Sequence, residues 1–69
     1  MVNKYNSFDN SNTTFESIEQ AQADIIRGIN WARKNGCNNR VFITYNGLNW
    51  YVYDTDTKEL VNTIKISII

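Results

Sequence analysis

The sequence predicts an α+β fold in which one amphipathic helix packs on a three-stranded antiparallel β-meander, in the order α-β-β-β. Three observations predict it. Apolar residues recur every three or four positions between residues 17 and 35, alternating aromatic and β-branched residues flank an Asn-Gly pair, and an isoleucine-rich, β-prone segment follows. The 69 residues are expected to form one small domain, 17–69, preceded by a polar arm, 1–16.

The arm, residues 1–16, is rich in Asn, Ser and Thr and shows no hydrophobic period. We expect it to be loose, with a possible short strand near Val2–Tyr5 that can pair with an edge of the sheet. Tyr5, Phe8 and Phe15 are the side chains that can attach the arm to the core.

The helix is predicted to begin after Ser17, because Ser17 and Gln20 have the spacing of a capping box. It is predicted to end at Asn35-Gly36, because glycine accepts the left-handed conformation common at helix C-termini. The apolar stripe comprises Ile18, Ala21, Ile25, Ile29 and Ala32. Ile26 and Trp31 fall on opposite flanks of this stripe. Ile26 is expected to border the core, whereas for Trp31 a core position and a helix-flank contact with a partner are both open.

The first two strands are predicted to form a hairpin around Asn46-Gly47, a pair typical of a two-residue type I′ turn. The register that this turn sets, with side chains on the predicted core face, pairs Tyr45 with Leu48, Ile43 with Trp50, and Val41 with Val52. Side chains alternate along a strand, so the other face carries the predicted binding residues Arg40, Phe42, Thr44, Asn49, Tyr51 and Tyr53.

The third strand is predicted from about Glu59 to Ile68. Its core-facing set is Leu60, Ile64, Ile66 and Ile68, with Asn62 interrupting it. In a meander this last strand is an edge, and a long apolar edge is a template for another chain. The segment with Ile64, Ile66, Ile68 and Ile69 is therefore predicted to mediate homodimerisation, unless the N-terminal arm covers it.

The sequence lacks the side chains that most enzyme sites need. It contains no histidine, a single cysteine, Cys37, and three separated glycines, so general-base pairs, zinc clusters and phosphate-binding loops are not expected. Asp54, Asp56 and Glu59 share one turn, but Lys58 stands where a calcium loop carries a ligand. The chain is predicted to have no catalytic activity, no bound metal and no cofactor.

Charge and hydropathy narrow the class of partner. The formal net charge is zero, so steering of the whole molecule toward nucleic acid or anionic lipid is not expected. No apolar run approaches the roughly 20 residues of a membrane span, and the first residues lack the apolar stretch of a signal peptide. We expect a cytoplasmic protein with no membrane contact.

The favoured function is a non-enzymatic interaction module that binds another protein through the aromatic sheet face, the Trp31 flank or a paired edge. Size and composition also favour a phage or mobile-element product that binds and inhibits or redirects a host protein. Two alternatives stay open. One is a small single-stranded nucleic-acid-binding regulator whose aromatic face stacks on bases, and the other is a self-assembling structural or accessory protein. No motif in the chain identifies a family.

Overall fold

A computed structural model covers residues 1–69 and contains one helix and five antiparallel strands in a single sheet. In chain order the elements are β1 (Val2–Asn6), β2 (Ser11–Phe15), α1 (Ile18–Lys34), β3 (Asn39–Ile43), β4 (Asn49–Asp54) and β5 (Leu60–Ile68). The strand order is β2-β1-β5-β4-β3. The chain is a small α+β domain, and the prediction of a three-stranded meander is wrong because the N-terminal residues add two strands to the sheet.

The N-terminal hairpin pairs with the C-terminal strand and makes β5 the centre of the sheet. Lys4 of β1 lies opposite Ile66 of β5, and β5 also pairs with β4 on its other side. The prediction that the last strand forms an edge is therefore wrong, and the alternative, in which a short strand near Val2–Tyr5 pairs with an edge of the sheet, is confirmed. Ile64 and Ile66 are buried in the core, while Ile68 and Ile69 are exposed beyond it. The predicted self-association edge does not exist, because the backbone groups of β5 are engaged on both sides.

Asparagine and aspartate side chains build the turn between β1 and β2. The Phe8 N–H donates to Asn6 Oδ1 at 3.0 Å, and the Ser11 N–H donates to Asp9 Oδ1 at 3.0 Å. Asn10 adopts a left-handed φ of 57°, which asparagine tolerates better than most residues. The Asn-rich composition led to the prediction of a loose arm. In the structure, these asparagine and aspartate side chains stabilise a tight turn.

The helix begins as predicted. The Gln20 N–H donates to Ser17 Oγ at 3.2 Å, and Gln20 Oε1 accepts from the Glu16 N–H at 3.1 Å. Asn35 caps the C-terminus, and Gly36 follows with φ 89°. One side of the helix lies against one face of the sheet. Eight buried residues form the core between the two layers: Val2, Ala21, Ile25, Ile29, Trp50, Val52, Ile64 and Ile66.

The register of the β3–β4 hairpin is confirmed, but its turn is not the predicted one. Ile43 lies opposite Trp50, and the Thr44 N–H donates to the Asn49 carbonyl at 3.1 Å. Residues 45–48 form the loop, in which only Gly47 has a positive φ, at 70°. Asn46 Oδ1 accepts from the Leu48 N–H at 3.1 Å, so its side chain closes the loop. Tyr45, predicted to face the core, is fully exposed at the tip.

A bulge shifts the start of β5. Val52 lies opposite Asn62, whereas Tyr53 lies opposite Leu60, so Val61 is the extra residue. The bulge turns Leu60 to the face away from the helix, and the prediction that Leu60 faces the core is wrong. Asn62 stays on the helix side and its Oδ1 accepts from the Ser7 hydroxyl at 2.8 Å, which places its amide at the rim of the core.

Candidate interaction surface

The helix covers one face of the sheet and leaves the other, here called the open face, without a second layer. The register pairs Arg40 with Tyr53 and Phe42 with Tyr51, and strand alternation places all four on the open face. The structure therefore brings the predicted binding residues together on one surface: Arg40, Phe42, Thr44, Asn49, Tyr51 and Tyr53.

The aromatic rings on the open face meet edge to face. The Phe42 and Tyr53 ring centroids lie 5.2 Å apart with an interplanar angle of 77°. Beside them is a shallow cavity of about 490 Å³, lined by Arg40, Phe42, Tyr53, Asp54, Thr55 and Lys58. Backbone N–H groups of Thr57 and Asp56 donate to the Asp54 carboxylate and hold its pKa below the ordinary value. The Asp54 carboxylate therefore stays ionised near neutral pH and contributes a negative charge to the cavity beside the positive charges of Arg40 and Lys58.

Strand β3 is an edge of the sheet, with no neighbour on its outer side. The Thr44 N–H points inward to Asn49, so Phe42 also directs its backbone groups to β4, because antiparallel ladders alternate. The N–H and C=O groups of Val41 and Ile43 consequently point away from the sheet. In the predicted meander the first hairpin strand is also an outer strand, but sequence reasoning placed self-association on the last strand and gave the edge of β3 no role.

The helix flank closest to β3 adds apolar surface to this edge. A groove of about 230 Å³ lies between helix and strand, and its apolar lining residues are Ile26, Ile29, Val41, Ile43 and Trp50. Ile26, expected to border the core, is 48% exposed and shares this groove with Ile43, which is 54% exposed; Phe42, on the open face, is 49% exposed. At the start of the strand, Arg33 Nε donates to the Asn39 carbonyl at 2.8 Å.

Trp31 lies on the other flank of the helix and is exposed. It borders a groove of about 500 Å³ whose lining includes Asn6, Phe8 and Val61. Trp31 therefore lies apart from the predicted binding residues of β3 and β4, although a second groove of about 520 Å³ on the outer side of the helix is lined by both Trp31 and Ile26.

Ion pairs in the chain converge on one carboxylate. Asp24 contacts Lys4 of β1 and Arg27 of its own helix. The hydrogen bond from Lys4 is the main cause that lowers the pKa of Asp24; the bond from Arg27 also lowers it, and partial burial opposes both. These are the only salt bridges, so Arg33, Arg40 and Lys58 near β3 make none, although Lys58 helps to lower the pKa of Asp54.

No protein-family model, curated protein or solved structure matches this chain. The helix α1 is neither long nor apolar enough to cross a membrane.

Proposed function

We propose that this chain is a non-enzymatic module that binds another protein through the β3 margin, a surface defined by Ile26, Val41, Phe42, Ile43 and Tyr53. One observation carries the proposal: large apolar side chains are exposed on both sides of a strand whose outer backbone groups have no partner. Contiguous exposed apolar surface marks sites of protein contact, and a bare strand edge is a template for pairing.

The three most exposed apolar residues of this margin lie on two elements, β3 and the helix. Phe42 lies on the open face, Ile43 faces the helix side, and Ile26 projects from the helix. Covering their apolar area contributes about 25 cal/mol for each Å² removed from water. A partner that reaches both sides of β3 therefore gains more than one that touches either face alone.

Single-stranded nucleic acid is the competing ligand, and ring geometry argues against it. Base stacking needs aromatic rings that offer their faces to successive bases. Phe42 and Tyr53 stand nearly perpendicular to each other, at 77°, so the two rings cannot present parallel faces to neighbouring bases. Edge-to-face clusters of this kind suit contact with apolar protein side chains.

The role expected for a phage or mobile-element product, binding and redirecting a host protein, is one form of this function. Such a module acts by occupying a surface of its partner and needs no chemistry of its own. We keep self-assembly as the competing structural role, now restricted to the edges β2 and β3, because β5 is enclosed.

A tagged pull-down from bacterial lysate, with and without nuclease, tests the proposed function. Three forms of the protein are compared: wild type, the double variant Phe42→Ser with Ile43→Ser, and Trp31→Ser. We expect a stoichiometric protein that survives nuclease, is lost with the double variant and is retained by Trp31→Ser. Circular dichroism of each variant verifies that the fold is intact.

Other outcomes contradict the proposal in distinct ways. Recovery that disappears with nuclease indicates a nucleic-acid ligand, and the variant Tyr51→Ala with Tyr53→Ala should then abolish binding. Loss of the partner with Trp31→Ser alone moves the site to the other helix flank. Recovery of the bait alone, together with growth in mass at high concentration, favours self-assembly.

A further inference from the structure

We propose that β3 accepts, as an additional antiparallel strand, an extended peptide segment of the partner protein that is apolar at one end and acidic at the other. This inference rests on the proposed function and names the chemistry of the partner. Three features of the β3 edge support it: the direction of its free backbone groups, the apolar groove beside it, and the position of its cations.

Backbone pairing supplies the frame for the added strand. Val41 and Ile43 direct their N–H and C=O groups outward, since the neighbouring residue Phe42 pairs with Tyr51 of β4. At Asn39 the carbonyl already accepts from Arg33 Nε at 2.8 Å. An incoming strand is therefore positioned by Val41 and Ile43, which gives main-chain recognition of an extended segment.

Side chains on the two faces of the added strand meet different surroundings. Residues that point to the helix side enter the groove lined by Ile26, Val41 and Ile43. The residue opposite Phe42 lies on the open face beside an exposed ring. Both environments favour β-branched or other apolar side chains in the half of the peptide that lies opposite Phe42 and Ile43.

Cations at the N-terminal end of β3 favour a peptide that is acidic where it lies opposite this end. Arg40 lies on the open face near Lys58, and Arg33 lies at the strand edge beside Asn39. Arg33 and Arg40 make no salt bridge, whereas Lys58 lies close enough to Asp54 to help lower the pKa of that carboxyl. Carboxylates opposite Asn39 and Arg40 can form charge-assisted hydrogen bonds with the guanidinium groups. The acidic residues then form the C-terminal end of an antiparallel peptide.

The same cations disfavour a second copy of the chain on this edge. In two antiparallel β3 strands related by a two-fold axis near Val41 or Phe42, Arg40 of each copy lies opposite an uncharged residue of the other. Because β3 contains no acidic residue, a second copy offers no carboxylate from this strand to Arg33 and Arg40. Charge complementarity therefore favours an acidic segment over self-pairing.

The test uses a fluorescently labelled peptide with the core sequence Ile-Val-Val-Glu-Glu, flanked by Gly-Ser, and measures binding by anisotropy. Two control peptides accompany it. One carries Lys-Lys in place of Glu-Glu, and the other carries an N-methyl group on the amide that pairs with Val41. At low salt we expect the Ile-Val-Val-Glu-Glu peptide to bind and the two control peptides not to bind. The affinity of the Ile-Val-Val-Glu-Glu peptide should fall as the salt concentration rises.

Variants of the protein locate the bound peptide. Arg40→Glu should weaken the affinity for the Glu-Glu peptide by about tenfold. The same variant should allow the Lys-Lys peptide to bind. Ile43→Lys should block the edge, because charged side chains prevent strand addition. The matched control is Thr14→Lys, which introduces the same side chain on β2, the opposite edge of the sheet. It should leave the affinity unchanged.

The outcomes separate this inference from the proposed function. Equal binding of both charged peptides, or no effect of Ile43→Lys, overturns the acidic-strand inference. If Ile43→Lys and Arg40→Glu still capture the cellular partner while Phe42→Ser with Ile43→Ser does not, the proposed function is supported. The bound segment is then not an added strand. A rise in mass to a dimer that Ile43→Lys abolishes indicates self-pairing and also overturns the inference.

Discussion

The carbonyl of Gly47 ties the β3–β4 loop to the rest of the molecule. It accepts from Gln22 Nε2 of the helix at 3.1 Å and from the Trp50 indole at 2.9 Å. Gly47 itself has φ 70°, a conformation that glycine adopts without strain. This single residue thereby fixes the loop that carries the end of β3.

Replacing Gly47→Ala should destabilise the fold by about 1–2 kcal/mol. The added Cβ is strained at positive φ and would lie 2.9 Å from Gln22 Nε2. The matched control is Gly28→Ala, where nothing lies within 4 Å of the new Cβ and a helix interior favours alanine by about 0.5–1 kcal/mol. Urea unfolding should show opposite shifts for the two variants, and equal shifts would contradict this role of Gly47.

Asp24 couples stability to pH. Its folded-state pKa is lowered, chiefly by the hydrogen bond from Lys4, so its stabilisation is present above the unfolded pKa of about 3.9 and is lost as pH falls through the folded value. Asp24→Asn should cost about 1–3 kcal/mol near neutral pH, because Lys4 loses its partner. The difference from wild type should shrink below about pH 4.

Unfolding free energies between about pH 7 and pH 2.5 measure this effect. Glu59→Gln is the control, because Glu59 is exposed and makes no salt bridge. A stability difference between wild type and Asp24→Asn that stays constant across the whole range would contradict the linkage.

Among the elements, the helix could be predicted from the sequence, whereas the N-terminal hairpin could not. The helix has a capping serine and an unbroken apolar stripe, and both signals are local. In β1 the residues facing the helix are Val2, Lys4 and Asn6, of which only Val2 is apolar. Lys4 occupies a core-side position because Asp24 of the helix neutralises its charge. Asp24 is 20 residues away in the sequence, so no local sequence pattern predicts this pair.

The candidate site was also predicted only in part. The register of β3 and β4 follows from the alternation around Asn46-Gly47, so the residues of the open face were placed correctly. The last strand, β5, was predicted to be an edge and lies at the centre of the sheet, because strand order depends on whether the N-terminal segment joins the sheet. The length and apolar character of β5 are consistent with a central strand, which was the one available signal.

Removing the N-terminal hairpin tests how the elements depend on one another. A fragment of residues 17–69 should not fold. It loses Val2 from the core, and the backbone groups of β5 that pair with β1 lose their hydrogen-bond partners. Far-ultraviolet circular dichroism and the dispersion of amide resonances measure this directly. Val2→Ala in the full chain should destabilise the fold by about 1–3 kcal/mol. A well-folded fragment would contradict the central position of β5.

On the scale of the whole molecule, the net charge is zero, but cations and carboxylates are paired unevenly. Lys4 and Arg27 share the carboxylate of Asp24 on one flank, while Arg33 and Arg40 near β3 make no salt bridge. The molecule therefore has one side where an open strand, apolar side chains and two arginines without salt bridges coincide. The proposed binding of an acidic extended segment follows from this coincidence, and no single feature of it would be sufficient alone.

Residue-resolved amide hydrogen exchange tests that claim most directly. In the dilute free protein, the amides of Val41 and Ile43 should exchange rapidly, while the Phe42 amide, which points to β4, should be protected. Addition of the Ile-Val-Val-Glu-Glu peptide should slow Val41 and Ile43 and leave Thr14 on the opposite edge unchanged. Val41 and Ile43 amides that are already protected in the free monomer, or that stay unprotected when the peptide is bound, would contradict an open β3 edge that receives a strand.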